Sequence, residues 1–242
     1  MHKQTKMVIG AVLALALVFG GVAAAFGAHV ITLSAKPNRV MYPHKSNVTV
    51  GLDGFASGPA TVTVQYRYVD GGEWKNWKTI SASRTAEATR VTLPATASFL
   101  KGTTEFRAFE SGVATSQVVT VTVLARLSKP HVSQVMGRAK GRVFITRNFT
   151  IRGQIWPAHP SGKDAVKLEF AKKDGANWVP QPALTRMVKI AKGRMWDRYT
   201  RDFMSSWGTT LPVPSKGRWQ VKASHEDTAH AMSYTMSEFA VR

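Results

Sequence analysis

The chain has 242 residues, 44% of them hydrophobic, and no cysteine. That excludes disulfides, thiolate metal sites and cysteine nucleophiles, and leaves room for one large domain or two of about 100 residues. Thirty-three Lys and Arg against 14 Asp and Glu give a net charge of +19. Such a surplus suits a polyanionic partner (nucleic acid, anionic lipid or anionic wall polymer), and it also fits a plain solvated basic surface.

The first predicted element is apolar. A short basic leader, "MHKQTK", precedes Met7–Ala28, 22 residues without a charge. A bilayer core needs roughly 20 residues in a helix, so residues 1–28 read as a signal peptide or a membrane-anchor helix. Ala23, Ala24 and Ala25 supply small residues of the kind signal peptidase accepts. Lys3 and Lys6 hold the amino terminus inside, which places the remainder outside the cell whether or not the leader is removed.

From residue 29 onward, period-two alternation replaces helical periodicity in "VTVGL", "ATVTVQYRYV", "QVVTVTVLA", "NFTIRGQIW", "AVKLEFAK" and "RWQVKA". Thr, Val and aromatic residues bounded by Gly, Pro, Asp or Ser spell short strands of an antiparallel sandwich or barrel. Four stretches then recur in the same order. "LSAKP" (33–37) matches "LSKP" (127–130), and "NVTV" (47–50) matches "NFTI" (148–151). "YRYVDGGEW" (66–74) matches "EFAKKDGANW" (169–178), and "KGTTEFRA" (101–108) matches "KGRWQVKA" (216–223). The separation grows from 93 residues, Pro37 to Pro130, to 115, Lys101 to Lys216. Two collinear copies with insertions in the second explain that growth.

Each motif has a mechanical reading. Pro37 and Pro130 start a first strand at a sheet edge, and Asn47 and Asn148 open a second. Asp70-Gly71 and Asp174-Gly175 form type I′ hairpin turns, and Trp74 and Trp178 cover the cores. The predicted division is therefore 29–125 and 126–242, two tandem antiparallel sandwiches or barrels in an all-β chain behind the N-terminal hydrophobic helix. Residues 29–125 carry 10 basic and 6 acidic side chains, and residues 126–242 carry 21 and 8, so the second unit holds most of the surplus.

"KGRWQVKASHEDTAHAMS" (216–233), the "VTVQYR…DGGEW" hairpin and "SQVVTVTV" (116–123) resemble bacterial immunoglobulin-like (fibronectin-III-like) repeats of secreted and wall-associated proteins. The resemblance spans about 210 residues. It implies a seven-stranded sandwich used for display, spacing or adhesion, and it transfers no catalytic residue. The Cys…Trp…Cys signature of antibody-type domains is absent.

The largest predicted insertion, 192–214, interleaves Arg194, Arg198 and Arg201 with Trp196, Tyr199, Phe203 and Trp207. Guanidinium groups alternating with ring faces suit stacking on sugars or bases beside anions. The competing reading has the rings capping the core and Asp197 and Asp202 pairing with the arginines. Farther on, His225, Glu226, Asp227 and His230 cluster in "HEDTAH". The histidines are five apart beside a strand, where the zinc-protease pattern needs four on a helix, so a polar turn is expected and no metal is assigned, with convergence of His225, Asp227 and His230 on a cation across the loop as the lesser alternative. The sequence has no G-x-S-x-G elbow and no Gly-rich phosphate loop, so neither an enzyme nor a cofactor is expected.

These readings converge on an exported, non-enzymatic structural or adhesive protein of the cell surface. Its expected partners are anionic wall polymer or surface glycan, other envelope subunits or further copies of itself, and the membrane through the N-terminal segment. The alternative is a module that binds anionic carbohydrate, or less readily nucleic acid, through the Arg/aromatic insertion.

Overall fold

A computed structural model describes residues 30–53, 58–84, 89–133, 136–139, 142–145, 148–159, 164–191 and 195–241. The predicted N-terminal helix and Arg194 lie outside the described residues. Among the described residues the chain is all-β, with one 3₁₀ turn at Pro182–Leu184, and no helix is long and apolar enough to cross a membrane.

The first half contributes β1 (Val30–Lys36), β2 (Arg39–Met41), β3 (Ser46–Asp53), β4 (Gly58–Tyr68), β5 (Lys75–Arg84), β6 (Thr89–Ala95), β7 (Thr104–Glu110), β8 (Ala114–Thr115) and β9 (Val119–Leu124). One sheet runs β1-β3-β6 and the other β2-β9-β7-β4-β5, with β8 appended to β7. The alternation visible in the sequence sets the inner faces. Val48 and Val50 of β3 lie inside with Val62 and Val64 of β4, Phe106 and Ala108 of β7, and Val121 and Val123 of β9. All are essentially inaccessible to water, as period-two burial requires.

The second half contributes β10 (Arg126–Leu127), β11 (His131–Val132), β12 (Met136–Ala139), β13 (Arg142–Ile145), β14 (Asn148–Trp156), β15 (Ala165–Asp174), β16 (Asn177–Pro180), β17 (Arg186–Lys189), β18 (Met195–Asp197), β19 (Asp202–Pro212), β20 (Gly217–His225) and β21 (Ser233–Val241). One sheet runs β10-β14-β19-β18, with β11 also on β14. The other runs β16-β15-β20-β21, with β17 also on β15, and β12-β13 is a separate hairpin. Ile151, Ile155, Leu168, Phe170, Val221 and Trp207 fill a second core.

Four local expectations change. The sheets are antiparallel except for β2, which runs parallel to β9 (Arg39↔Thr122), because the chain leaves the first sheet after β1 and crosses to the second. Pro37 and Pro130 follow strand segments rather than starting the first strand, between β1 and β2 and between β10 and β11. The hairpin turns are not type I′. Gly71 and Gly175 take positive φ, 115° and 56°, whereas among the described non-glycine residues Arg201 alone does. Asp174 pairs with Asn177, so Gly175-Ala176 closes the second hairpin with positive φ at its first position only, the type II′ pattern. Trp74 and Trp178 lie off the cores, under cations. Arg67 and Arg107 flank the Trp74 ring at 4.6 and 4.3 Å, and Lys173 lies 5.9 Å from the centre of Trp178. In the first half Trp77 is the ring that packs inward, on Phe99 and Phe106.

Candidate functional site

Three strand ends bring four polar side chains together where the two halves meet. β20 ends at His225, paired with Ser233 of β21, and the connection 226–232 carries Asp227 and His230. β14 ends at Trp156, and the chain continues through Pro157 and Ala158 to His159. The Ala158 amide donates to the Phe203 carbonyl (2.9 Å) and the His159 amide to Ser205 Oγ (3.0 Å), which fixes His159 against β19. His159, His225 and His230 are buried.

Asp227 organises the group. Its Oδ1 accepts the amides of Ala229 (2.8 Å) and His230 (2.6 Å), an Asx turn that shapes the loop. Its Oδ2 lies 3.2 Å from His159 Nε2 and 3.0 Å from His225 Nε2, while His230 Nδ1 lies 3.0 Å from Oδ1. The far nitrogens of two rings are committed elsewhere. His225 Nδ1 donates to the Ala165 carbonyl at 3.0 Å, and His230 Nε2 donates to the Lys101 carbonyl at 2.8 Å. His159 Nδ1 is buried without a hydrogen-bond partner. One potential donor atom from each of the four residues lies within 4.8 Å of every other, a set able to hold a metal ion.

The electrostatics follow from that packing. Burial pushes the Asp227 carboxyl upward, but its contacts with three imidazoles outweigh burial and hold it far below the usual carboxylate range. Burial depresses His225, and the Asp227 carboxylate with the Ala165 carbonyl overcomes it, so the imidazole is raised. The cluster opens on a cleft of about 430 Å³ lined from the first half by Tyr68, Asp70, Lys101 and Gly102. The second half supplies Pro157–His159, Asp164, Asp202, Phe203 and Asp227–His230. Asp70, Asp164, Asp202 and Asp227 are four of only 14 acidic residues in the chain.

The same loop fastens the halves to each other. The Ala229 carbonyl accepts the Thr103 amide (2.6 Å), and the Ala231 amide donates to the Val123 carbonyl (3.0 Å). Tyr42, buried in the first core, donates its hydroxyl to Asp202, which Lys101 Nζ also reaches at 3.2 Å. Trp156 packs into the first core and donates to Asp197 Oδ2 at 2.9 Å.

The Arg/aromatic stretch is divided. Residues 195–212 are the hairpin β18–β19, and β19 is a full sheet strand on β14 rather than an inserted loop. Trp196 (57% exposed) and Tyr199 (82%) stand in solvent at its tip, whereas Trp207 (2%) is core and belongs to no binding face. Arg198 lies 4.9 Å over the Tyr199 ring, and Arg201 sits at φ 53° in the turn. Asp197 caps that turn through the Tyr199 amide and Thr200 Oγ1, and Asp202 faces Tyr42 and Lys101. Local pairing of these aspartates with the arginines is thus replaced by capping and by the joint. Sequence reasoning found three members of the histidine cluster and missed His159, which is 66 residues before His225. Its only sequence signal was a histidine between prolines at the end of an apolar strand, "IWPAHP".

No family model matches the chain, and no curated protein matches it. Among solved structures it is similar to red sea bream transglutaminase, with 12% identity and a TM-score of 0.36. The match covers 88% of this chain and 31% of that one, so the chain spans about a third of that protein's length. A likeness of that extent assigns neither fold family nor activity.

Proposed function

We propose that the chain is an exported, non-enzymatic structural or adhesive protein of the cell surface, built from two tandem immunoglobulin-like sandwiches. The joint carries this reading. Two cores are coupled by backbone hydrogen bonds from the Thr103 amide to the Ala229 carbonyl and from the Ala231 amide to the Val123 carbonyl, and by the part-buried Tyr42–Asp202 contact. A spacer or adhesin needs such a coupling to transmit force or orientation, and a pair of freely swinging modules lacks it. The duplication is supported by the positions of the matched stretches. "NVTV" and "NFTI" open the middle strands β3 and β14, and "KGTTEFRA" and "KGRWQVKA" lead into β7 and β20, which flank β4 and β15. In this reading the apolar leader targets or tethers the protein, and the basic second unit contacts anionic wall polymer or neighbouring envelope subunits.

Expression of the full chain in a bacterial host, with fractionation and intact mass, tests the proposal. Recovery in the membrane, or in the exported fraction without the leader, supports it. Recovery as full-length cytoplasmic protein overturns it. A second reading, a glycan- or nucleic-acid-binding module, is favoured by the exposed tip of β18–β19, where Trp196, Tyr199 and Phe203 all face solvent with Arg198 stacked alongside. Steeply salt-dependent polyanion binding that disappears in Trp196→Ala/Tyr199→Ala would select it.

A further inference from the structure

We propose that His159, His225, Asp227 and His230 hold one divalent transition-metal ion of the zinc class. The ligand atoms are Nε2 of His159, Nε2 of His225, Nδ1 of His230 and a carboxylate oxygen of Asp227. This inference stands independently of the adhesive or structural role.

Proton placement comes first. A backbone carbonyl only accepts, so the contacts to Ala165 and Lys101 put protons on His225 Nδ1 and His230 Nε2. In neutral imidazoles the opposite nitrogens are then lone pairs, and both point at carboxylate oxygens 3.0 Å away. Acceptor facing acceptor is repulsive. The arrangement gathers two ring acceptors and a carboxylate around one point, the two rings themselves being buried. A metal ion among the four atoms turns the same lone pairs into bonds.

Geometry and surroundings agree. Ligand atoms of a zinc tetrahedron sit about 3.3 Å apart for bonds of about 2.0 Å; Asp227 Oδ2 lies 3.0–3.2 Å from the three ring nitrogens, and the four donor atoms, within 4.8 Å of one another, would draw together on the ion. A ligating histidine normally donates its other N–H to a carbonyl or carboxylate, and His225 and His230 both do. Asp70, Asp164 and Asp202 line the same cleft and offset added positive charge in a chain that is otherwise strongly basic. Imidazole and carboxylate donors without thiolate suit Zn²⁺, and Co²⁺ as its spectroscopic substitute. Four protein ligands close the coordination sphere, the pattern of a structural site. The ion would pin the 226–232 loop to the end of β14, and that loop presents Ala229 and Ala231 to the first half.

The test uses the untagged full chain, stripped with a chelator and titrated with Zn²⁺ alone or Co²⁺ alone. Binding of one equivalent is expected, with the visible absorption of four-coordinate Co²⁺ and a rise in melting temperature on Zn²⁺ addition. Asp227→Asn and His225→Gln should weaken binding by more than about 100-fold, beyond what loss of an outer-shell partner costs. His159→Gln is decisive if those variants fail to fold, because the His159 ring holds no carbonyl: the folded protein, checked by circular dichroism, should lose the Co²⁺ band. A chain with His2, His29, His44 and His131 all changed to Gln should keep it. Absence of one-to-one uptake, or a Co²⁺ band that survives His159→Gln, or one that vanishes with the other four histidines, overturns the proposal.

Discussion

Replacing Trp207 separates a core ring from a binding ring. Trp207 is 2% exposed and stands opposite Gly153 in the β14–β19 register. Its indole occupies the space that a Cβ at Gly153 would need, and Nε1 donates to the Gln154 carbonyl at 3.4 Å. Truncating a buried Trp to Ala costs about 3–5 kcal/mol from lost transfer free energy and the cavity left behind. The hydrogen bond, long and to a backbone carbonyl, adds little to that. Against a typical domain stability of about 5–15 kcal/mol, the loss is large. Trp196, 57% exposed and touching Phe203 edge-on, should cost about 1 kcal/mol or less when truncated. Urea unfolding of both variants, followed by far-ultraviolet circular dichroism, measures the difference. Equal stability of Trp207→Ala and Trp196→Ala, together with polyanion binding lost in Trp207→Ala, would refute the core assignment.

Other expectations concern the joint. Gly102→Val should prise the halves apart, because a Cβ at Gly102 would sit 3.2 Å from that of Ala229; hydrogen exchange at the Thr103 and Ala231 amides should quicken, and unchanged protection would contradict the packing. Tyr42→Phe removes a donor to a carboxylate and should cost about 1.5–3 kcal/mol in denaturant unfolding. Burial raises Asp202, but hydrogen bonds from Tyr42, the Phe203 amide and Lys101 outweigh it and the net shift is downward. Its contribution is therefore fully present above the unfolded-state value near pH 4 and is lost as pH falls through the lower folded value. Asp202→Asn should flatten that part of an acid-stability curve, and an unaltered curve would count against it.

Strand positions were legible in the sequence because burial alternates with period two. The run "NFTIRGQIW" became β14 with Phe149 and Ile151 inside, and the Asn that opens it lies at the edge of the strand. β19 is masked in the sequence because the arginines and rings just before it continue into the strand as Phe203 and Trp207, and the polar residues of "FMSSWGTTL" blunt its alternation. The β2–β9 parallel pairing depends on a crossover between sheets that no local pattern records. Trp74 lies in the connection just before β5, outside the β4–β5 register, so period-two alternation does not say where its ring packs. The cluster was legible in three of its four members. "HEDTAH" gave three members, but its spacing fits no helix because it lies in a strand-to-strand loop, and His159 reaches it only through tertiary packing.

A surface spacer built on this joint requires its two cores to move as one unit. The chain has no cysteine, so Val113→Cys and Met187→Cys, both on exposed positions in opposite halves, can carry the only two spin labels. Pulsed dipolar spectroscopy on the labelled full chain then reads the distance between the halves. A single narrow distribution is predicted, and a broad one spanning many separations would contradict the joint on which the account rests.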